Sequence, residues 1–457
     1  MRSFLDNTLF IQRRQQVLEA MAEDTVMMIA SGAEQIRNRD VEYPFRADSD
    51  FQYLTGFEEP DAVLVLLKKS DAPDVRCLIF LRPKDAEKEI WQGRRLGVDV
   101  AVEWLSVDRA FSIEDLEEEM NDWVEGADGL YISFAQLTDW SEMLNDWITA
   151  QKAKARQGVE APTKLLDADA ILHEMRLIKS ETEIDWMKDA AQISVQGHLA
   201  AMRWAAKTFC EKSARQGYEY QLQAVLEQTY RHLGSPRVAF STIAAGGENA
   251  CILHYTENNA PLTSGDLVLV DSGAEYHGYA GDITHTYPLN GRFSTAQKAL
   301  YQLVLDAQQA AIDLIAPEVS YDAIHRTACR VLTEGLVKLG ILKGELETLI
   351  TAEAYKPFFM HGTGHWLGMD VHDVGRYKLD GAWRPLQTGM VLTVEPGLYI
   401  SAGVGREHQV DECYWGIGIR IEDDVLVTET GHEVLTTGLP RTSDEIETYM
   451  NKIAQQA

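Results

Sequence analysis

The chain has 457 residues, of which 45% are hydrophobic, so it can bury large cores and is long enough for two or three domains, of which we adopt two. Its formal charge of −29, from 71 acidic against 42 basic residues, argues against nucleic acid and anionic membranes as partners. Five scattered cysteines, without a CxxC pair, argue against a disulfide framework and indicate a reducing cytosol.

The N-terminal sequence predicts a helix and has the pattern of neither a signal peptide nor a membrane-spanning segment. The stretch MRSFLDNTLFIQRRQQVLEAM mixes apolar and charged residues like an amphipathic helix and lacks the apolar core of a signal peptide. The longest apolar stretch, AVLVLL at 62–67, is too short to span a bilayer. The acidic stretch at 114–125, EDLEEEMNDWVE, predicts a solvated helix face. We therefore expect a soluble, cytoplasmic protein.

A change in composition suggests where the chain divides. The basic, polar stretch QKAKARQGVEAPTK at 151–164 separates the first third from the rest. Beyond it, a long helix is predicted from the apolar spacing and from a capping box formed by Ser180 and Glu183. We place the boundary near residue 172, which gives domains 1–172 and 173–457.

One pattern occurs twice in the second domain. GDLVLVDSG at 265–273 returns as GMVLTVEPG at 389–397, with Asp271 and Glu395 at the same place in the two copies. In the first copy Asp282 follows 11 residues later, in a glycine-punctuated, β-branched segment that predicts a second strand paired with the first.

The second copy has a matching acid after a longer turn. Glu422 follows Glu395 by 27 residues, so about 16 more residues, SAGVGREHQVDECYWG, are predicted to form a loop. Acids after strands are often ordinary turn residues, but a matched pair in each copy favours a site. Four converging carboxylates would repel one another unless cations neutralised them, and two divalent ions would balance their charge.

Histidines concentrate between the two copies. His361, His365 and His372 lie within FFMHGTGHWLGMDVHDVG at 358–375, and His254 precedes the first copy. A single histidine is more often a packed or surface residue, whereas three in a segment rich in glycine and flanked by aromatic residues favour a site.

These strings resemble those of the aminopeptidase P family. The matching segments are, in the family's order, ILHYTEN, LVLVDSGAEYHGYAGDITHTYP, FFMHGTGHWLGMDVHDVG, LTVEPGLYI and GIGIRIEDDVLVT. The family comprises proline-specific, two-metal peptidases with the pita-bread fold that prolidase and methionine aminopeptidase share. The resemblance implies an α+β protein, with an N-terminal mixed α/β domain followed by a pseudo-two-fold metallopeptidase domain.

The N-terminal strings extend the resemblance over the first domain. They are YPFRADSDFQYLTGFEEPDAVLVLL at 43–67 and EIWQGRRLG at 89–97. In the family this domain bears on substrate access and subunit contacts, so the resemblance implies a homo-oligomer, a dimer or tetramer, in which Trp91 approaches a neighbouring active site. An isolated tryptophan is more often a core residue.

The resemblance also implies a set of metal ligands. They are Asp271, Asp282, His365, Glu395 and Glu422, of which Asp282 and Glu422 bridge two ions. Oxygen-rich ligation with one imidazole suits manganese, cobalt or zinc rather than a structural zinc site. The resemblance favours manganese.

Roles in catalysis follow from the resemblance in the same way. A hydroxide between the two ions would attack the N-terminal Xaa-Pro bond of a peptide. Glu395 would relay a proton to the leaving nitrogen, and His372 would stabilise the oxyanion. His254 and His361 would line the pocket around the proline.

Arg420 and His285 are two further residues close in sequence to the implied ligands. Arg420 lies two residues before Glu422, on the same face if the segment is a strand, and would orient a ligand carboxylate; otherwise it is a surface arginine. His285 occupies a position where the family more often has arginine, which puts one local contact of the outer shell in doubt.

Two other functions are compatible with the same residues. Prolidase shares the five ligands but cleaves only dipeptides that end in proline; the N-terminal strings and the GIGIRIED segment favour the aminopeptidase. An inactive pita-bread protein that binds peptides or proteins is disfavoured, because such proteins typically lose metal ligands and this chain has all five.

Overall fold

The computed structural model describes residues 7–210 and 216–456. The chain divides into two compact units, Met1–Met175 and Arg176–Ala457. The division falls inside a helix, close to the predicted boundary near residue 172. Helices and strands are mixed in both units, in agreement with the predicted α+β class.

The first unit contains a six-stranded mixed sheet with the strand order β6-β5-β4-β1-β7-β8. Its strands and the separate hairpin β2-β3 are β1 Thr25–Ala30, β2 Ile36–Asn38, β3 Val41–Glu42, β4 Val63–Lys68, β5 Cys77–Leu81, β6 Arg109–Ser112, β7 Gly129–Ile132 and β8 Lys164–Asp167. Its helices are α1 Thr8–Ala20, α2 Ser49–Thr55, α3 Ala86–Gln92, α4 Val98–Leu105, α5 Leu116–Val124, α6 Leu137–Ala153 and α7 Asp169–Leu177, the last of which crosses the division.

Two helices that the sequence predicts in this unit are present, whereas the predicted separating stretch lies elsewhere in the architecture. The amphipathic N-terminal helix is α1, although residues 1–6 lie outside the described part. The acidic helix is α5, which buries Leu116, Met120 and Val124 and carries its glutamates on the other side. The basic stretch at 151–164 is not a domain linker, because it connects α6 to β8 inside the first unit.

The second unit carries the repeated pattern. Its helices are α8 Glu181–Phe209, α9 Glu219–His232, α10 Thr295–Asp313, α11 Tyr321–Lys338, α12 Leu346–Thr351, α13 Ala402–Glu407 and α14 Ser443–Gln455. Its strands are β9 Gly217–Tyr218, β10 Arg237–Val238, β11 Ile243–Gly246, β12 Pro261–Leu262, β13 Leu267–Asp271, β14 Ala274–Tyr276, β15 Tyr279–Ala280, β16 Thr284–Pro288, β17 Lys378–Leu379, β18 Ala382–Trp383, β19 Val391–Val394, β20 Gly397–Ile400, β21 Ile417–Arg420, β22 Asp423–Val427 and β23 His432–Val434.

Helix α8 begins at the predicted capping box. The N–H and the hydroxyl of Ser180 donate to the Glu183 carboxylate at 2.9 and 2.7 Å. The helix then packs closely on α9, since a Cβ at Gly197 would lie 2.2 Å from the ring of Tyr230. Glycine is therefore required where these two helices meet.

Both copies of the repeat form an antiparallel strand pair, as the sequence predicts. In the first copy β13 pairs with β16, with Asp271 opposite Thr284. In the second β19 pairs with β22, with Val394 opposite Asp423. A pair of helices precedes each set, α8 with α9 and α10 with α11.

The turns of the two copies differ in length, as expected. The first is the short hairpin β14-β15, whereas the second is the longer pair β20-β21. The predicted loop at 401–416 closes the longer pair and contains α13. Among the described residues, no helix combines the length and the apolar character needed to cross a membrane.

Candidate metal centre

The four repeated carboxylates lie at the ends of strands. Asp271 is the last residue of β13, and Asp282 lies two residues before β16 begins. Glu395 directly follows β19, and Glu422 directly precedes β22. Because the strands of each pair are antiparallel, the end of one lies beside the start of the other, so both acids of a copy reach the same edge.

His365 reaches this edge from a segment that runs beside β19. The Thr393 N–H donates to the His365 carbonyl at 2.9 Å. The imidazole Nδ1 lies 3.0 Å from the Trp366 carbonyl, which favours a proton on Nδ1 and leaves the lone pair on Nε2. Nε2 lies 3.5 Å from Asp282 Oδ2 and 3.6 Å from Glu395 Oε1.

All nine residues that the sequence assigned to the site line one cavity of about 460 Å³. They are Asp271, Asp282, His365, Glu395, Glu422, His254, His361, His372 and Arg420. Within this set, Asp282, His365 and Glu422 offer ligand atoms that all lie within 4.8 Å of one another. The geometry therefore brings together residues that are far apart along the chain.

Within the described part of the chain, two carboxylate oxygens in the cavity wall have no hydrogen-bond donor. They are Oδ1 of Asp271 and Oδ1 of Asp282, both buried. A buried, charged oxygen without a partner is costly, so this arrangement calls for a cation. Carboxylate oxygens with one imidazole suit hard or borderline divalent ions. The residues present thus fit a divalent metal centre.

The crowding of acids also perturbs their titration. Burial, followed by the charge of Asp271, raises the pKa of Asp282 well above its ordinary value. Burial and the charge of Asp282 raise the pKa of Glu422 in the same way. Burial raises the pKa of Glu395 to about 7, against the opposing effects of His365 and Arg420. Bound cations would offset this repulsion.

Arg420 lies under the carboxylates and is only 4% exposed, so it is not a surface arginine. Its Nη2 donates to Asp271 Oδ2 at 2.6 Å, and its Nε donates to the Thr284 hydroxyl at 3.0 Å. That hydroxyl in turn donates to Glu422 Oε2 at 2.6 Å. One guanidinium therefore holds acids from both copies of the repeat.

The remaining histidines surround the carboxylates. His361 Nε2 lies 2.8 Å from the Tyr399 hydroxyl, and the rings of His365 and His372 have centroids 4.4 Å apart. Burial, and then the charge of Arg420, lower the pKa of His361 to about 3. Burial and His365 also lower the pKa of His372. Both imidazoles are therefore neutral near pH 7.

Within the described residues, no hydrogen bond joins the His285 ring to the carboxylates of the site. It pairs with Val270 across the strands, and its Nε2 lies 2.9 Å from the Pro440 carbonyl. Its neighbour Thr284 supplies the hydroxyl that reaches Glu422. The residue that departs from the family pattern thus lies outside the hydrogen bonds that hold the ligands.

Three residues of the site were missed at the sequence level. Thr284 lies two residues after Asp282, and Tyr399 four after Glu395, so strand alternation could have placed both on the site-facing side. The Asp424 carboxylate accepts the Asp282 N–H at 3.1 Å, a contact between the two copies that the sequence pattern does not encode.

The fold and this cluster of ligands define a metallohydrolase. Residues 185–429 match the model of metallopeptidase family M24, and residues 10–131 match that of the aminopeptidase P N-terminal domain. The Xaa-Pro aminopeptidase of Escherichia coli is 43% identical over 96% of this chain and 97% of its own length.

Solved structures agree with these matches. Aminopeptidase PepP of Pseudomonas aeruginosa superposes with a TM-score of 0.94 at 44% identity, covering 99% of both chains. A variant of Escherichia coli aminopeptidase P in complex with substrate gives a TM-score of 0.93 at 42% identity, covering 100% of both. The chain therefore belongs to metallopeptidase family M24 and, within it, to the aminopeptidase P group, and the predicted fold is confirmed.

Proposed function

We propose that this chain is an Xaa-Pro aminopeptidase that removes the N-terminal residue from peptides with proline in second position, with two divalent ions, manganese by preference. The single observation that carries the proposal is the cavity in which the five proposed ligand side chains meet three further histidines. Two of the five have a buried oxygen that accepts no hydrogen bond from the described residues. The substrate class is supported by the Xaa-Pro aminopeptidase of Escherichia coli at 43% identity.

The ligands divide between the two ions by their position in the repeat. Asp282 and Glu422, one from each copy, would bridge both ions. Asp271 would complete one site, and His365 with Glu395 the other. When bound, such ions supply the acidity that activates a water and the positive charge that polarises the scissile carbonyl.

The other residues hold and orient the peptide. Glu395 faces the cavity between His365 and His361, at 3.6 and 3.8 Å, where its carboxylate can carry a proton towards the leaving nitrogen. His372 is neutral near pH 7, so one ring nitrogen can donate a hydrogen bond to the developing oxyanion. His254 and His361 line the same cavity and would bound the space for the proline ring.

The protein is also proposed to work as a homo-oligomer in the cytoplasm. Ile90 and Trp91 on α3 are 78% and 86% exposed, which is unusual for such large apolar side chains and suits a subunit contact. All five cysteines are free, as a reducing compartment requires. Light scattering on the wild type and on Trp91→Ala tests the oligomer, and cell fractionation tests the location.

The activity is tested with three peptide series on protein stripped of metal and reloaded with manganese, cobalt or zinc. We expect release of the first residue from Xaa-Pro-Yaa tripeptides, none from Xaa-Ala-Yaa controls, and the highest rate with manganese. Cleavage of Xaa-Pro dipeptides alone would instead identify a prolidase. No cleavage together with no bound metal would indicate a binding protein.

A further inference from the structure

A buried cluster of charges is centred on Asp373, the residue that follows His372 in the chain. The carboxylate of Asp373 accepts from Arg176 Nη2 at 2.6 Å on one oxygen and from Lys179 Nζ at 3.0 Å on the other. The three side chains are only 1 to 3% exposed. None of them lines the cavity of the metal centre.

Arg176 also closes the turn that bears His372. Its Nη2 donates at 2.7 Å to Asp370, so one guanidinium nitrogen joins the residues on both sides of the short stretch 371–372. A planar, permanently charged group can hold two carboxylates in this way, whereas a lysine ammonium has a different shape and hydration.

The same turn is fixed to the ligand segment through the backbone. The Asp373 N–H donates at 2.9 Å to the Trp366 carbonyl, which also lies 3.0 Å from Nδ1 of His365. There is no room to spare beside it, since a Cβ at Gly368 would lie 2.0 Å from Asp373 Oδ2. Both the backbone N–H and the carboxylate of Asp373 are thus packed against the segment 365–368, which carries His365.

The backbone around Lys179 is itself held in place by hydrogen bonds. Lys179 donates its backbone N–H to the Gly389 carbonyl at 2.9 Å, just before strand β19. Its neighbour Ser180 caps α8, the longest helix described. Lys179 is therefore attached to the start of β19 and to the N-terminus of α8. Through Lys179, the cluster connects the turn that bears His372 to these two elements.

Such a cluster is poorly explained by stability alone. Burying three charged groups costs about as much as their mutual attraction returns, and apolar replacements of similar volume are often equally stable. Residues that orient active groups through hydrogen bonds commonly change activity when they are substituted. The cluster stands where such an orienting role is needed.

We propose that Asp373, clamped by Arg176 and Lys179, is a positioning residue that holds His372 in the orientation needed to stabilise the oxyanion. This inference rests on the proposed function, because it assigns the effect to His372 in the peptidase reaction. It adds to the site a cluster that does not line the cavity, and it gives a function to Arg176 and Lys179.

The test is a double-mutant cycle between Asp373→Asn and His372→Ala, in full-length enzyme saturated with manganese, on an Xaa-Pro-Yaa peptide. We expect Asp373→Asn to lower kcat by about 10 to 100-fold with little change in KM. In the His372→Ala background the same change should cause no further loss, because the group that it positions is gone.

The matched control is Glu275→Gln, another buried carboxylate of the second unit, which pairs with Arg237. It should keep kcat near the wild-type value. If Asp373→Asn does not fold, Lys179→Gln is measured in the same cycle, because it leaves the Arg176 pair intact. The same non-additive loss is expected from it.

Three results would overturn the inference. They are a wild-type kcat in the folded Asp373 or Lys179 variant, losses that multiply with His372→Ala, and a kcat in His372→Ala equal to that of the wild type. A wild-type enzyme without activity on Xaa-Pro-Yaa peptides would overturn the proposed function as well, which separates the two failures.

Discussion

Arg420 and Asp271 form a buried ion pair in which Nη2 donates to Oδ2 at 2.6 Å, while the other oxygen, Oδ1, has no donor among residues 7–210 and 216–456. The arginine thus holds the carboxylate by one oxygen and leaves the second available for a cation. A neighbouring carboxylate, that of Glu422, is held indirectly, through the Thr284 hydroxyl that the same guanidinium contacts. The orientation of two proposed ligands therefore depends on one side chain.

Replacing Arg420 by lysine is expected to weaken metal binding. The bonds to Asp271, Thr284 and Tyr399 leave from three different nitrogens of the guanidinium, and the single nitrogen of a lysine cannot occupy all three positions. We expect activity to fall about 10 to 100-fold, with the midpoint of a manganese titration moved to higher concentration. The exposed Arg292 gives a matched control, because Arg292→Lys should leave both quantities unchanged. An unaltered midpoint in Arg420→Lys would contradict the orienting role.

The Thr284 hydroxyl can be tested without changing the size of the side chain. Thr284→Val removes the donor to Glu422 and the acceptor for Arg420, leaving a buried group unpaired at a cost of about 1 to 3 kcal/mol. We expect a lower unfolding temperature and weaker manganese binding. Thr284→Ser keeps the hydroxyl and should resemble the wild type. Equal behaviour of the valine and serine variants would show that the hydroxyl has no such role.

Because the carboxylates repel one another, Asp282→Asn should have opposite effects on stability with and without bound metal. In chelator, Asp282→Asn should be more stable than the wild type, because it removes one buried acid from beside Asp271 and Glu422. With manganese at 100 times its dissociation constant, a bound ion stabilises the wild type by about 2.7 kcal/mol, and the variant should gain less.

Unfolding temperatures measured in chelator and in manganese check this reversal. Activity of Asp282→Asn should be abolished, since the variant lacks a carboxylate that we propose to bridge the two ions. A wild type that is the more stable protein in both conditions would mean that the carboxylates do not repel one another in the folded chain.

The sequence predicted the parts of the site that are encoded in a local pattern, namely the repeated strand segments and the acids at their ends. The repeated register placed Asp271 and Glu395 at strand ends, and the paired strands follow from the same pattern. Composition was a poorer guide at 151–164, since a basic, proline-containing stretch can connect two elements of one unit as easily as two domains.

Contacts between distant residues could not be predicted in this way. Asp373 meets Arg176 across 197 positions, and no period in the sequence relates them. Strand alternation does place Thr284 with Asp282, but only the register shows that its hydroxyl lies between Arg420 and Glu422. Burial likewise depends on the whole fold, as the exposed Trp91 and the buried Arg420 show.

The Asp373 cluster also predicts how stability changes with pH. Burial raises the pKa of Asp373, but the charges of Lys179 and Arg176 outweigh it, so the folded value lies below the ordinary 3.8. A depressed folded pKa means that the unfolded chain binds the proton more readily. The stabilisation is therefore fully present above the ordinary value and is lost as the pH falls through the folded one.

This dependence is isolated by comparing the wild type with Asp373→Asn, because both share every other titrating group. At neutral pH the variant should be less stable by about 3 to 5 kcal/mol, the cost of leaving a buried charge without its partner. The difference, measured by urea unfolding, should stay constant down to about pH 5 and shrink below about pH 4, where unfolded aspartate takes up its proton. A difference that stays the same down to pH 3 would mean that the Asp373 carboxylate is not held ionised by the two cations.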